Sequence, residues 1–387
     1  SQALSTNSRN LIMETYGDNM QYRPRLRLVR HLMRMNQRYT SFALMICFLF
    51  TAPLLFAAEK VKPPKLFSEF GEMQVTLTGP WNTIKRNKKK DNRYPVQLTY
   101  IGADKASHTI DAEVTLRGIT RRRICDFPPL KLHFDKKAMK GTEFRGNKSL
   151  KLVTYCDTSS KYEQYYIKEF LTYRIYNLIT EFSFRARPMM IEYKDSETSK
   201  KPITRFGFLI EDVDDVANRN GLKKLSIASI PYRNLDPVTT SQLSLFQYMI
   251  GNLDWAATSG PTDDKCCHNS RLIGAGEDVV PKYAIPYDFD SSGLVNAHYA
   301  APPDGLSVRN IRQRLYRGFC VRNDELPQTI AQFNEKKPDI IALFQDNTHL
   351  SDYMRKHAID YIEGFYKIVN NPESLDKEII GKCRGRL

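Results

Sequence analysis

Residues 251–293 constrain this chain most. They read G-N-L-D-W-A-A-T-S-G-P-T-D-D-K-C-C-H-N-S-R-L-I-G, then a short loop, then P-K-Y-A-I-P-Y-D-F-D-S-S-G. An apolar-periodic segment, 243–250, leads into Asn252-Leu253-Asp254, and the loop that follows ends at His268-Asn269 before a short apolar run. A second strand-like run, 283–286, delivers Asp288-Phe289-Asp290 to a Ser-Ser-Gly turn. Two strand ends thus present Asp254, Asn269, Asp288 and Asp290. Phosphoryl transfer needs one carboxylate to receive a hydroxyl proton and hard oxygen ligands to hold magnesium against phosphates. The structural alternative is that Asp288 and Asp290 only cap the turn.

Length and charge bound the possibilities. A chain of 387 residues is enough for one large or two ordinary domains. A net charge of +15 suggests affinity for anions, although such an excess is commonly solvated surface. No basic run with interleaved aromatics points to a nucleic-acid surface, so no nucleic-acid partner is expected. Near the N-terminus, a basic lead around Arg38 precedes an apolar run over 42–56 and then Ala57-Ala58. That pattern reads as a secretory leader over 1–58, with an uncleaved anchor as the alternative and the only expected membrane contact. Without those residues, seven basic and two acidic, the chain is still +10. Six cysteines follow the leader: Cys125, Cys156, Cys266, Cys267, Cys320 and Cys383. Their even number fits disulfides in an exported protein, periplasmic or extracellular. Cys125 and Cys156 flank adjacent strands and are expected to bridge. Cys266 and Cys267, being adjacent, are expected to reach other partners, Cys320 first. Cys266-Cys267-His268 lacks the spacing of a structural zinc site.

Taken in order, 73–77, 94–100, 108–116, 130–134 and 150–155 alternate or cluster apolar residues as strands do, with the basic run 85–93 as a loop. Residues 162–182 have helical spacing, with Tyr162, Tyr166, Tyr173 and Tyr176 on one stripe and Glu169 among them. A carboxylate on such a face needs a partner. Lys131, the strand lysine between Leu130 and Leu132, is a candidate, and a partly exposed Glu169 is the bland alternative. Strands over 187–193 and 205–210 lead into Glu211-Asp212-Val213-Asp214-Asp215, where acidic residues suit a helix N-terminus. Beyond Gly293 the pattern is mainly helical, over 327–344, 351–369 and 376–381. The order is that of an α+β, two-lobe, protein-kinase-like fold: a β-rich lobe with one helix over 59–210 and a helical lobe over 211–387.

Three blocks carry a family resemblance. Arg117-Gly118-Ile119-Thr120-Arg121 followed by Pro129-Leu130-Lys131-Leu132-His133-Phe134 resembles the R-G-N-S-S-R … K-x-Y-K-L-K-F block of the spore-coat CotH kinase family. Gly207-Phe208-Leu209-Ile210-Glu211-Asp212-Val213-Asp214 is similar to its G-x-Y-x-L-x-E-x-x-D block, and Ile285 to Gly293 resembles its P-W-D-x-D-x-x-x-G block. The likeness covers roughly 110–295 and is nearest to a CotH-like branch of uncharacterised exported bacterial proteins. It implies an atypical kinase using ATP, or another nucleotide, with Mg2+ or Mn2+ and a protein hydroxyl as acceptor. Carried over, Asp254 is the base, and Asn269 and Asp288 hold metal with Asp290 as a further ligand. Lys131 contacts the phosphates, Glu169 orients Lys131, and Arg117 and Glu211 help to hold the nucleotide. The departures are plain. There is no G-x-G-x-x-G loop, so Arg117-Gly118 and the following arginines would have to replace it. Asp254 and Asn269 are 15 positions apart, with a cysteine-bearing insertion between them. The competing implication is a silent, kinase-derived binding module.

Overall fold

The computed structural model describes residues 65–260 and 265–385. The leader expected over 1–58 lies outside them. Seven strands make the first half: β1 (Met73–Gly79), β2 (Tyr94–Ile101), β3 (Ser107–Leu116), β4 (Leu130–Phe134), β5 (Ser149–Val153), β6 (Ala186–Asp195) and β7 (Ile203–Ile210). β1 to β5 alternate as expected, while β6 and β7 carry continuous buried runs. Val75, Leu77, Val96, Leu98, Val114, Leu130, Leu132, Leu150 and Leu152 are buried, and their neighbours face outward.

The strands close on themselves in the order β1-β2-β3-β4-β5-β7-β6. The closing seam is a parallel pair, β1 on β6, running in register from Met73↔Met189 to Gly79↔Asp195. This corrects the expected fold class. A small kinase lobe is an open, twisted sheet with a free edge, whereas here the edge of β1 is spent on β6 and no edge remains. The α+β composition and the order of a β-rich region before helices stand; the two-lobe kinase-like arrangement does not.

Helices are interleaved and then take over: α1 (Trp81–Arg86), α2 (Thr120–Ile124), α3 (Glu163–Ile179), α4 (Val213–Arg219), α5 (Pro237–Ile250), α6 (Leu326–Gln345), α7 (Asp352–Val369) and α8 (Pro372–Glu378). α1 forms where part of a basic loop was expected, because Trp81 and Ile84 bury one side of it. In α3 the tyrosine stripe is buried as read, with Tyr166, Tyr173 and Tyr176 at 2% exposure or less. Its rings join the two halves of the chain: Tyr173 packs at a tilt against Phe289 (4.7 Å between centroids) and Tyr176 stacks on Phe246 (4.3 Å). A single apolar cluster runs through barrel and helices.

A small antiparallel sheet, β8 (Lys223–Lys224), β9 (Ser270–Gly274) and β10 (Lys282–Pro286), lies over a second apolar cluster that includes Leu243, Trp255 and Leu272. Pro286 pairs with Ser270, so the residues just outside that rung, Asn269 and Tyr287, are brought side by side. The Tyr287 amide donates to the Asn269 carbonyl at 3.0 Å.

Cys125 and Cys156 are bonded, as expected. The other expectation is corrected: Cys266 bonds Cys267, and Cys320 bonds Cys383 rather than reaching that pair. Three disulfides mark a chain matured outside the reducing cytoplasm. Among the described residues no helix is long and apolar enough to cross a membrane.

Candidate functional site

The site begins at the end of α5. Asp236 caps its start by accepting from the Thr239 amide (2.8 Å), and Pro237 fills the first turn. Its far end is Gly251, left-handed at φ 63°. A Cβ there would stand 2.0 Å from the Tyr361 hydroxyl, so only glycine fits both the backbone and the space. The chain then turns sharply, and Gly293 and Leu294 donate their amides to the carbonyls of Gly251 (3.1 Å) and Ile250 (2.9 Å). Those two bonds staple the loop of Asp254 to the loop that carries Asp288 and Asp290.

Asp254 is held from both sides. Its Oδ1 is 2.5 Å from His268 Nε2, and the Asn269 amide nitrogen donates to its Oδ2 (3.0 Å) and its carbonyl (2.7 Å). The Asn252 side chain fixes the backbone by accepting from the Asp254 amide at 3.0 Å. Asn269 and Asp288 both lie in the left-handed region, at φ 48° and 65°. Such conformations are uncommon outside glycine and collect where a side chain must be aimed. The Asp288 amide donates to the Tyr173 hydroxyl (3.0 Å), which ties this turn to α3.

These residues line a cleft of about 530 Å³. Asp254, His268, Asn269, Asp288, Asp290 and Tyr299 form one wall, and Arg117, Thr120 and Arg121 stand on the other. Asp290 accepts from the Tyr299 hydroxyl at 2.9 Å. Burial, and then the Asp288 charge, push its carboxyl up to about 6. Behind the wall, Glu169 is 1% exposed, and burial pushes it up to about 8 against the pull of Arg121. Arg121 donates to the Thr154 carbonyl (2.8 Å) and faces Glu169 Oε2 at 3.5 Å. Arg117 differs in that no ion pair holds its guanidinium among the described residues, and its Nε, like that of Arg121, is buried without a hydrogen-bond partner.

Of the residues expected at the site, Arg117, Asp254, Asn269, Asp288 and Asp290 meet in the cleft, with Glu169 just behind them. Lys131 and Glu211 do not line it. Lys131 leaves the outer face of β4, in register with Thr115 and Lys151, and the partner of Glu169 is Arg121. The expected Lys131–Glu169 pair is therefore corrected. Glu211 is a buried strut: it takes Arg219 Nε at 3.1 Å and the Arg185 amide at 2.9 Å. His268 was weighed only with Cys266-Cys267 as a zinc site, and its place directly before Asn269 was the signal for its present role; Tyr299 was not singled out and carried none. Lys151 was also missed. It stands 4.1 Å from the Tyr287 ring centre, and burial, then Arg117 and Arg271, pull its ammonium down to about 7.

The phosphotransferase reading falls with the fold. The strands meant for an open lobe close into a barrel, and the lysine–glutamate pair is not made. Among the described residues no group of three or more His, Cys, Asp or Glu side chains is arranged to hold a metal ion. The kinase-derived silent module falls for the same reason. No family model matches the chain, and no curated protein matches it in sequence. What fold and site define is a class: a closed β-barrel joined to a helical half, with a cleft of opposed carboxylates and arginines.

Proposed function

We propose that this chain is an exported binding protein, periplasmic or extracellular, whose cleft takes a small phosphate-bearing molecule, nucleotides included, together with a divalent cation. The observation that carries the reading is Arg117: a guanidinium at the cleft that no ion pair holds among the described residues, with a buried Nε that, like that of its neighbour Arg121, no described protein group satisfies. A buried donor without a partner is costly, and an anion supplies what is missing. The facing wall is acidic, so a bare anion would meet repulsion from Asp254 and Asp288. A phosphate carried with Mg2+ or Mn2+ matches both walls. Such an ion needs only one or two carboxylates beside phosphate oxygens and water. Asp288 and Asp290 would hold the ion, and Asn269, whose amide nitrogen is spent on Asp254, keeps its side-chain oxygen as a further ligand.

The likeness of the cleft-lining blocks, Arg117–Arg121 and Asp288–Ser291, to the CotH-like branch is proposed as a shared ligand chemistry, without the transfer reaction. Calorimetry with pyrophosphate and with a nucleotide, each with and without magnesium, tests the reading. Binding should need the metal. Arg117→Ala should weaken it by at least tenfold, the loss of a charge-assisted contact worth roughly 1.5–3 kcal/mol, and Asp288→Asn should abolish the metal-dependent binding. Failure of the wild-type protein to bind any phosphate compound at millimolar concentration would end it.

A further inference from the structure

We propose that α2 and the basic run folded against it form a docking surface for an anionic lipid bilayer. The run over 85–93 does not project as a free loop. Arg122 Nε donates to the Lys88 carbonyl at 2.5 Å, and Lys88 Nζ donates to the Cys125 carbonyl at 2.6 Å. The Cys125–Cys156 bridge then anchors the end of α2 beside β5. Two distant basic segments are thereby fused into one patch.

The patch has charge to spare. Its acids, Asp91 and Asp126, are already met by Arg122 (2.5 Å) and Lys85 (3.0 Å). Arg86, Lys89, Lys90 and Arg123 are exposed, and none forms an ion pair among the described residues. A cluster of this size attracts anionic surfaces, each basic residue adding to the pull.

Charge alone would fit any polyanion. The apolar residues narrow the choice. Ile119 is 91% exposed and Ile124 41%, one on each side of Arg122-Arg123. Single exposed aliphatics are ordinary. One just before a basic five-residue helix and one at its last position match a partner that has anionic headgroups over an apolar layer. A soluble polyanion offers the first and not the second. Ile119 also lines the cleft mouth, so docking would set the cleft beside the headgroups.

Vesicle co-sedimentation of the full chain decides the matter, using phosphatidylcholine with and without phosphatidylglycerol at low and high salt. Binding is expected only with phosphatidylglycerol and should weaken with salt. The Lys89→Glu/Lys90→Glu pair should lower the partition coefficient by about tenfold or more. Ile119→Ser with Ile124→Ser should lower it several-fold while leaving retention on dextran sulfate unchanged. All four positions are exposed, so folding is not at issue. Two results would overturn the proposal: no binding to anionic vesicles, or vesicle binding untouched by the isoleucine pair, which would make the patch a general polyanion site.

Discussion

Replacing Glu211 with alanine tests its reassignment from ligand contact to internal strut. The Glu211 side chain is fully buried, and that of Arg219 is 4% exposed. One carboxylate oxygen takes Arg219 Nε at 3.1 Å; the other takes the Arg185 amide at 2.9 Å and Arg219 Nη2 at 3.3 Å. Truncation strands a buried guanidinium and a backbone donor together. Breaking a buried pair from one side costs about 3–5 kcal/mol. Arg219 keeps Glu181 (3.1 Å) and the carbonyls of Glu181 and Ser183, which argues for the low end, about 3 kcal/mol. Against a total of roughly 5–15 kcal/mol that is a large share. Urea unfolding followed by the fluorescence of the buried Trp81 and Trp255 should show a lower midpoint with an unchanged slope. The pair Glu211→Met with Arg219→Met should recover most of the loss, since two apolar side chains of similar volume replace two charges. An alanine variant of wild-type stability whose only defect is lost ligand binding would refute the argument and return Glu211 to the ligand.

Three other outcomes follow from the same geometry. Lys168, 4% exposed and bonded to the Val295 carbonyl, is pulled down to about 7 by burial and then by Arg312. Between pH 7 and the ordinary 10.5 the unfolded chain holds a proton that the folded chain lacks, so this group's contribution to stability rises with pH and its penalty is complete below pH 7. Lys168→Met should therefore out-stabilise wild type most at pH 6, by up to a few kcal/mol, and lose that lead towards pH 10; an equal difference at both pH values in urea melts would contradict it. Changing Cys125 and Cys156 to alanine opens a link spanning 31 positions and should cost about 3–4 kcal/mol in the same melts, with a loss under 1 kcal/mol counting against the bridge as a stabiliser. Gly251→Ala should cost about 2–4 kcal/mol through its positive φ and the Tyr361 hydroxyl, and pairing it with Tyr361→Phe should recover part of that; no recovery would mean that backbone strain alone decides.

How far the sequence could be read follows from what each feature depends on. Alternation between neighbours is local, so β1 to β5 and the buried stripe of α3 were legible. Barrel closure is not local. β1 shows the same alternation whether its second edge faces solvent or β6, and the partner strand begins more than 100 positions away. The Lys131–Glu169 expectation failed for a reason the pattern already held. Leu130 and Leu132 point into the barrel, so Lys131 must leave on the other side. Arg121 was free of that constraint because it sits on α2, beyond the end of β3. The acidic wall was legible for the opposite reason: Asp254, Asn269, Asp288 and Asp290 all sit where an element ends, and chain ends of this kind meet when β9 and β10 pair. Nothing local shows what holds them in place. That task falls to Gly251, the amides of Gly293 and Leu294, and a tyrosine from α7 that closes on both glycines: a Cβ at Gly251 or at Gly293 would stand 2.0 or 2.4 Å from the Tyr361 hydroxyl. The residues of the cleft can thus be guessed from short stretches, while their common orientation is a property of the assembled helical half.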